Sequence, residues 1–240
     1  MPNPIVALVD KEMAAFRELQ LAHPSLFPDN NTLYPIPFFG DIRRAEVVTL
    51  ALNPAHPEFV PERRWPIGCG SGSLTAVGLT NRLLSYFDSP RTRRHQWFDV
   101  CEQGLAALGC SYQTNAAHVD VHPFPTKFAR HLNQNEKRIL GEVIKTQSPE
   151  HMLSVLGLCN RVKLIVVIRY ALPSDVAPTL TTFEFVRDRL SPLAGLVDTT
   201  GHEPPLLDAG SHAGIVGFLH QHQARLNTFL HTAPTMILSP

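Results

Sequence analysis

The sequence predicts an α/β fold, three-layer α/β/α, with a central, mostly parallel four-stranded sheet. Three observations predict it. Four short segments have strand length: EVVTLAL at 46–52, SYQTNAAHV at 111–119, KLIVVI at 163–168 and PLLDA at 205–209. The first and third are nearly continuous apolar runs, the pattern of strands covered on both faces. Helical-period segments separate the strands, and strict alternation of strand with helix is the signature of a parallel sheet with helices on both faces.

Each element has its own reason. Residues 4–22 put Ile5, Leu8, Val9, Met13, Phe16 and Leu19 on one helical stripe, which predicts an amphipathic helix. A proline-rich loop follows through Pro28, Pro35 and Pro37 to the first strand, Glu46 to Leu52. Residues 53–75 form a long loop carrying Gly68, Gly70, Ser71, Gly72 and Ser73. Helices are expected at 75–88 and at 97–109, the second closed by Gly109. Ser111 to Val119 is the second expected strand. A helix runs from Asn135 to Leu158, with a break expected near Ser148-Pro149. The third strand spans Lys163 to Ile168, a helix 179–194, the fourth strand Pro205 to Ala209, and a closing helix Gly214 to Leu230. No internal repeat or low-complexity block interrupts this order.

Composition narrows the function. The chain has 240 residues, 44% hydrophobic and 18% charged, and a formal net charge of zero. That is a globular composition, and it argues against coating nucleic acid by charge alone. A local basic face remains open, with Arg91, Arg93, Arg94 and His95 in one cluster and Lys127, Arg130 and His131 in another. The cysteines, Cys69, Cys101, Cys110 and Cys159, match no metal spacing and are expected as reduced thiols in a cytoplasmic protein. No secretory leader is recognisable at the N-terminus. No segment has the run of about 18 apolar residues that a membrane span needs.

In parallel sheets of this kind ligands bind beyond the carboxyl ends of the strands. The strand order therefore predicts a site near Asn53, the Asn115 to Asp120 segment, Arg169-Tyr170 and Ser211-His212. The stretch TLALNPAHPEF, where a buried strand stops at Asn53-Pro54, then has a purpose: the rigid elbow aims the asparagine into the crevice. An Asn-Pro pair is also a common turn starter on its own.

These segments together resemble the uracil-DNA glycosylase superfamily. LNPAH at 52–56 resembles its water-activating loop, in the asparagine-proline form. GLTNRLLSYF at 78–87 resembles the following helix. TNAAHVDVHPFPT at 114–126 resembles the segment whose asparagine reads the base edge. KLIVVIRYA at 163–171 followed by LLDAGSHAG at 206–214 resembles the late strand and its histidine loop. The likeness covers approximately residues 35–230, so the chain is read as a single uracil-DNA-glycosylase-like domain over 1–240. Two departures stand out. The late loop reads Ser211-His212-Ala213-Gly214 where histidine-proline-serine is usual, and the iron–sulfur cysteines of some branches are missing.

The resemblance implies a monofunctional DNA glycosylase acting on a flipped base, in repair or in defence against foreign DNA, with no cofactor and as a monomer. The chemistry needs a placed water, donors for the anionic leaving base and a pocket that takes the base from the stack. Asn53 would hold the water and His212 would donate to the base carbonyl. Asn115 would read the base edge, with Pro54, Trp65 and Asp120 lining the pocket and Trp65 stacking. Ser211, Gly214 and Arg94 would meet the DNA backbone. Two rival readings stay open: a nucleic-acid-binding protein of the same fold without catalysis, and a metal hydrolase. The latter rests on HVDVH, because alternate strand residues share a face and His118, Asp120 and His122 would then point together. No fourth ligand has a recognisable spacing, so no metal is expected and polar lining of the base pocket is preferred.

Overall fold

A computed structural model of the chain describes residues 3–27, 33–52, 74–88, 96–126, 132–168, 184–188 and 206–235. Its sheet has four strands, β1 (Val47–Ala51), β2 (Ala116–Asp120), β3 (Leu164–Val167) and β4 (Leu206–Asp208). They lie in the order β2-β1-β3-β4, and every pairing is parallel. The expected three-layer α/β/α class is the observed one. Register aligns the carboxyl ends: Ala51 is level with Asp120, and Leu50, Val167 and Asp208 share the next row. On its outer edge β2 meets an antiparallel bridge, in which the Phe39 N–H donates to the His118 carbonyl at 2.8 Å.

The helices form where periodicity and capping agree. Helix α1 (Pro4–Ala22) starts at Asn3, whose side chain accepts the Ile5 N–H, with Pro4 in the first turn where no N–H is needed. Helix α2 (Ala76–Leu84) is capped by Thr75, and α3 (Gln96–Ala107) leads to Gly109 at φ 66°. Helix α4 (Gln134–Gly157) opens on a capping box between Asn133 and Glu136. A helical segment covers 184–188. A 3-10 turn (His212–Gly214) leads into α5 (Ile215–Gln221) and α6 (Gln223–Thr232).

Three expectations are corrected. Residues 111–115 form a turn, not strand, so β2 starts five residues later than Ser111. Helix α4 runs unbroken through Pro149, because its buried stripe of Ile144, Ser148, His151, Met152 and Val155 continues past the proline. Packing of that face outweighs one lost backbone bond. The closing helix divides at His222 into two shorter ones.

The core beside β2 is aromatic. Phe39, Tyr86, Phe87, Phe98 and Tyr112 are all nearly inaccessible, and Phe87 stacks on Tyr112 with centroids 4.5 Å apart. Each such ring contributes about 1.5–3 kcal/mol by leaving water. Gly40 permits this packing: its φ is 89°, and a Cβ there would lie 2.8 Å from Phe87. Among the described residues no helix is long and apolar enough to cross a membrane.

Candidate functional site

The described part of the carboxyl edge is built from β2, β4 and the start of α3. Asp120 ends β2 and is buried. Two residues earlier, on the same face, the His118 imidazole places Nε2 at 3.3 Å from Asp120 Oδ1. Its other nitrogen, Nδ1, is 2.9 Å from the Thr49 hydroxyl of β1. That hydroxyl is 2.6 Å from the Tyr112 hydroxyl. Burial drives the Tyr112 pKa well above its ordinary value, so its hydroxyl keeps its proton. Cys101 lies beside it, and burial pushes that thiol up to about 12. Four polar side chains thus form one line through an apolar core and end on a carboxylate at the sheet edge. Buried polar groups need such partners, since an unpaired one costs about 1–3 kcal/mol.

His212 reaches the same place from β4, the strand at the opposite edge of the sheet from β2. It follows the turn after β4, where Gly210 takes φ 68° and donates its N–H to Asp208 Oδ1 at 2.9 Å. The His212 ring stacks on Trp97, with centroids 4.9 Å apart and planes 8° from parallel. Its Nε2–H donates to the Trp97 carbonyl at 2.9 Å. Because a carbonyl only accepts, the proton on Nε2 is fixed. Among the described residues Nδ1 has no partner. Trp97 in turn meets the His118 ring at 4.6 Å and 62°. The late loop and β2 are therefore joined through one tryptophan.

The predicted residues divide accordingly. His212 and Asp120 stand at the carboxyl edge. Ser211 and Gly214 flank His212 and are exposed, with the Gly214 N–H bonded to the Ser211 carbonyl at 2.8 Å. Asn115 is corrected: it precedes β2 and so sits at the amino end of the sheet, away from the crevice. Its Oδ1 accepts the Ser111 N–H at 3.2 Å and the Thr114 hydroxyl at 3.0 Å. Its amide shapes the turn that the sequence made look like strand. Asn53, Pro54, Trp65 and Arg94 lie outside the described residues, as do the glycine-rich loop at 68–73, the basic clusters and Arg169-Tyr170.

The alternation at HVDVH holds for two residues only. The strand stops at Asp120, and His122 turns toward Phe27, Phe124 and Ser148. Burial, helped by nearby His151, lowers the His122 pKa to about 3. It is neutral, and among the described residues its Nε2 has no partner. His151 stands behind the strand end. Its Nε2–H donates to the Asp120 carbonyl at 3.2 Å, and its Nδ1 is 2.9 Å from Glu12 Oε1 of α1. No group of three His, Cys, Asp or Glu among the described residues could hold a metal. Cys101, Cys110 and Cys159 are buried free thiols.

Sequence reasoning missed Trp97, Tyr112, His151 and Glu12, and it gave Thr49 no role. Thr49 carried a signal, being the one hydroxyl inside an apolar strand. Trp97 and His151 sat on helical periods and looked like ordinary helix positions. No family model matches the chain, and no curated protein matches its sequence.

Proposed function

We propose that the chain is a DNA glycosylase that hydrolyses the N-glycosidic bond of a flipped uracil-like or modified base. One observation carries the reading. Two segments about ninety residues apart, HVD of β2 and SHAG after β4, meet through Trp97 at the carboxyl end of a parallel sheet. That is where such folds bind ligands, and it is the place the resemblance assigns to the late histidine. Asp120, rather than Asn115, then faces the base edge. His212 stabilises the leaving base, Asn53 positions the water, and Pro54 and Trp65 line the pocket. Ser211, Gly214 and Arg94 contact the backbone of DNA, which a cytoplasmic monomer would engage without a cofactor.

The second reading is a DNA-binding protein of this fold without catalysis. It draws on the His212 Nε2–H, which is engaged by the Trp97 carbonyl. Catalysis through His212 then needs the ring to turn, or Nδ1 to carry the donated proton. The metal reading loses its basis because His122 leaves the face shared by His118 and Asp120.

Single-turnover base release decides between the first two. The substrates are single and double strands carrying uracil, deaminated purines or modified cytosines. Release is expected for at least one base, and Asn53→Ala should slow it by about two orders of magnitude or more while DNA is still retained. His212→Ala should lower the rate and leave affinity nearly unchanged. DNA retention with no release from any substrate would establish the binding module instead.

A further inference from the structure

We propose that Thr49 and Tyr112 are positioning residues that act through His118 to hold Asp120 as a hydrogen-bond acceptor, so that the crevice selects a ligand edge presenting an N–H to it. The argument starts from hydrogen counting. A hydroxyl set between two polar groups gives its one hydrogen to one and accepts from the other, and Nδ1 taking the Thr49 hydrogen puts the ring's own proton on Nε2, 3.3 Å from Asp120 Oδ1. In the neutral ring Nδ1 is then an acceptor, and at 2.9 Å the Thr49 hydroxyl supplies its hydrogen. The Thr49 oxygen is left to accept from Tyr112 at 2.6 Å. The competing acceptor for Thr49, the Ala117 carbonyl, is farther away at 3.4 Å. Every hydrogen in the line therefore points toward Asp120. Burial keeps the Tyr112 proton in place, and the Thr49 oxygen at 2.6 Å is a stronger acceptor for it than the Cys101 sulfur.

The consequence is a polarity. Asp120 is 3% exposed, and a ligand that meets it there does so with little water to compensate a mismatch. A carbonyl facing the carboxylate is repelled; an amino group is accepted. The ligand clause rests on the glycosylase reading, whereas the relay does not.

The test uses the full chain labelled with nitrogen-15 and follows the histidine ring nitrogens by long-range proton–nitrogen correlation. The His118 signals are identified by their loss in His118→Gln. Wild type should show a pyrrole-like Nε2 and a pyridine-like Nδ1. Thr49→Val should lose that single tautomer and Thr49→Ser should keep it, a pattern that a merely structural role would not produce. A wild-type Nδ1–H tautomer, or a ring protonated on both nitrogens, overturns the relay even if the variants do not fold.

Deoxycytidine, which presents an amino group on its pairing edge, and N3-methyldeoxyuridine, which has no N–H there, then probe the ligand clause. Deoxycytidine should move the His118 signals, with a response to N3-methyldeoxyuridine roughly tenfold or more weaker. An equal response, a stronger one to N3-methyldeoxyuridine, or none to either, overturns that clause. Correct tautomers in a protein that releases no base would sink the glycosylase reading and leave the relay standing.

Discussion

Removing the Thr49 hydroxyl tests the buried line by its energy. Thr49→Val keeps the branched shape in the middle of β1 and strips one oxygen. Two groups then lose their partner, the Tyr112 hydroxyl and His118 Nδ1, and both residues are nearly inaccessible, at 3% and 2% exposure. An unsatisfied buried group costs about 1–3 kcal/mol. The Cys101 sulfur is a weak acceptor for Tyr112, and valine buries more apolar surface than threonine. The net loss should be about 2–4 kcal/mol, a large share of the roughly 5–15 kcal/mol that stabilises a typical domain. Tyr112→Phe alone should cost about 1 kcal/mol, because Thr49 keeps its hydrogen bond to His118 and loses only the one to Tyr112. In the double variant only His118 Nδ1 is left unpaired. Its cost should fall short of the sum of the two single costs by about 1 kcal/mol or more. Equilibrium urea unfolding of the four proteins measures all three numbers. Additivity within about 0.5 kcal/mol would show that the two hydroxyls do not act together, and the line of hydrogen bonds would be refuted.

Three other outcomes are expected. His122 has a folded pKa near 3, below its unfolded value of about 6.5; between those values the unfolded chain binds the extra proton, so stability should fall by several kcal/mol as pH drops through that window. His122→Phe should remove most of this acid-side slope, and an unchanged slope in urea midpoints against pH would assign it to other groups. Asn115→Ala should cost about 1 kcal/mol of stability through the lost turn bonds and leave base release unaltered; a large loss of release at unchanged stability would return Asn115 to the site. DNA affinity should drop steeply between low and moderate salt, because a chain of zero net charge can attract DNA only through local arginines, and a flat response in fluorescence titrations would discard the proposed backbone contacts.

Much of the fold was legible because it rests on periodicity. The stripe of α1, the apolar runs of β1 and β3 and the glycine closing α3 are local patterns. Each was placed within a residue or two. The errors arose where local pattern and tertiary context disagree. Ser111 to Asn115 has strand-like composition, yet its backbone turns: the Asn115 and Ala116 N–H groups both bond to the Ser111 carbonyl. Pro149 has the local chemistry of a helix breaker, yet a buried face on either side of it carries α4 through.

The candidate site was legible only as to its place. Strand order, together with the rule that ligands bind at carboxyl ends, located Asp120 and His212 from the sequence. What the side chains do there depends on partners distant in the chain. Thr49 and His118 are 69 residues apart, and His212 and Trp97 are 115 apart. No periodicity spans such separations. The sequence by itself determined a four-stranded parallel sheet with polar residues at one edge, because apolar alternation and crossovers are local. Only the tertiary structure decided that Asn115 faces the wrong end, that His122 leaves the shared face, and that His118 is held between a hydroxyl and a carboxylate. The physical reason is that hydrogen-bond direction is set by which atoms the fold brings within about 3 Å.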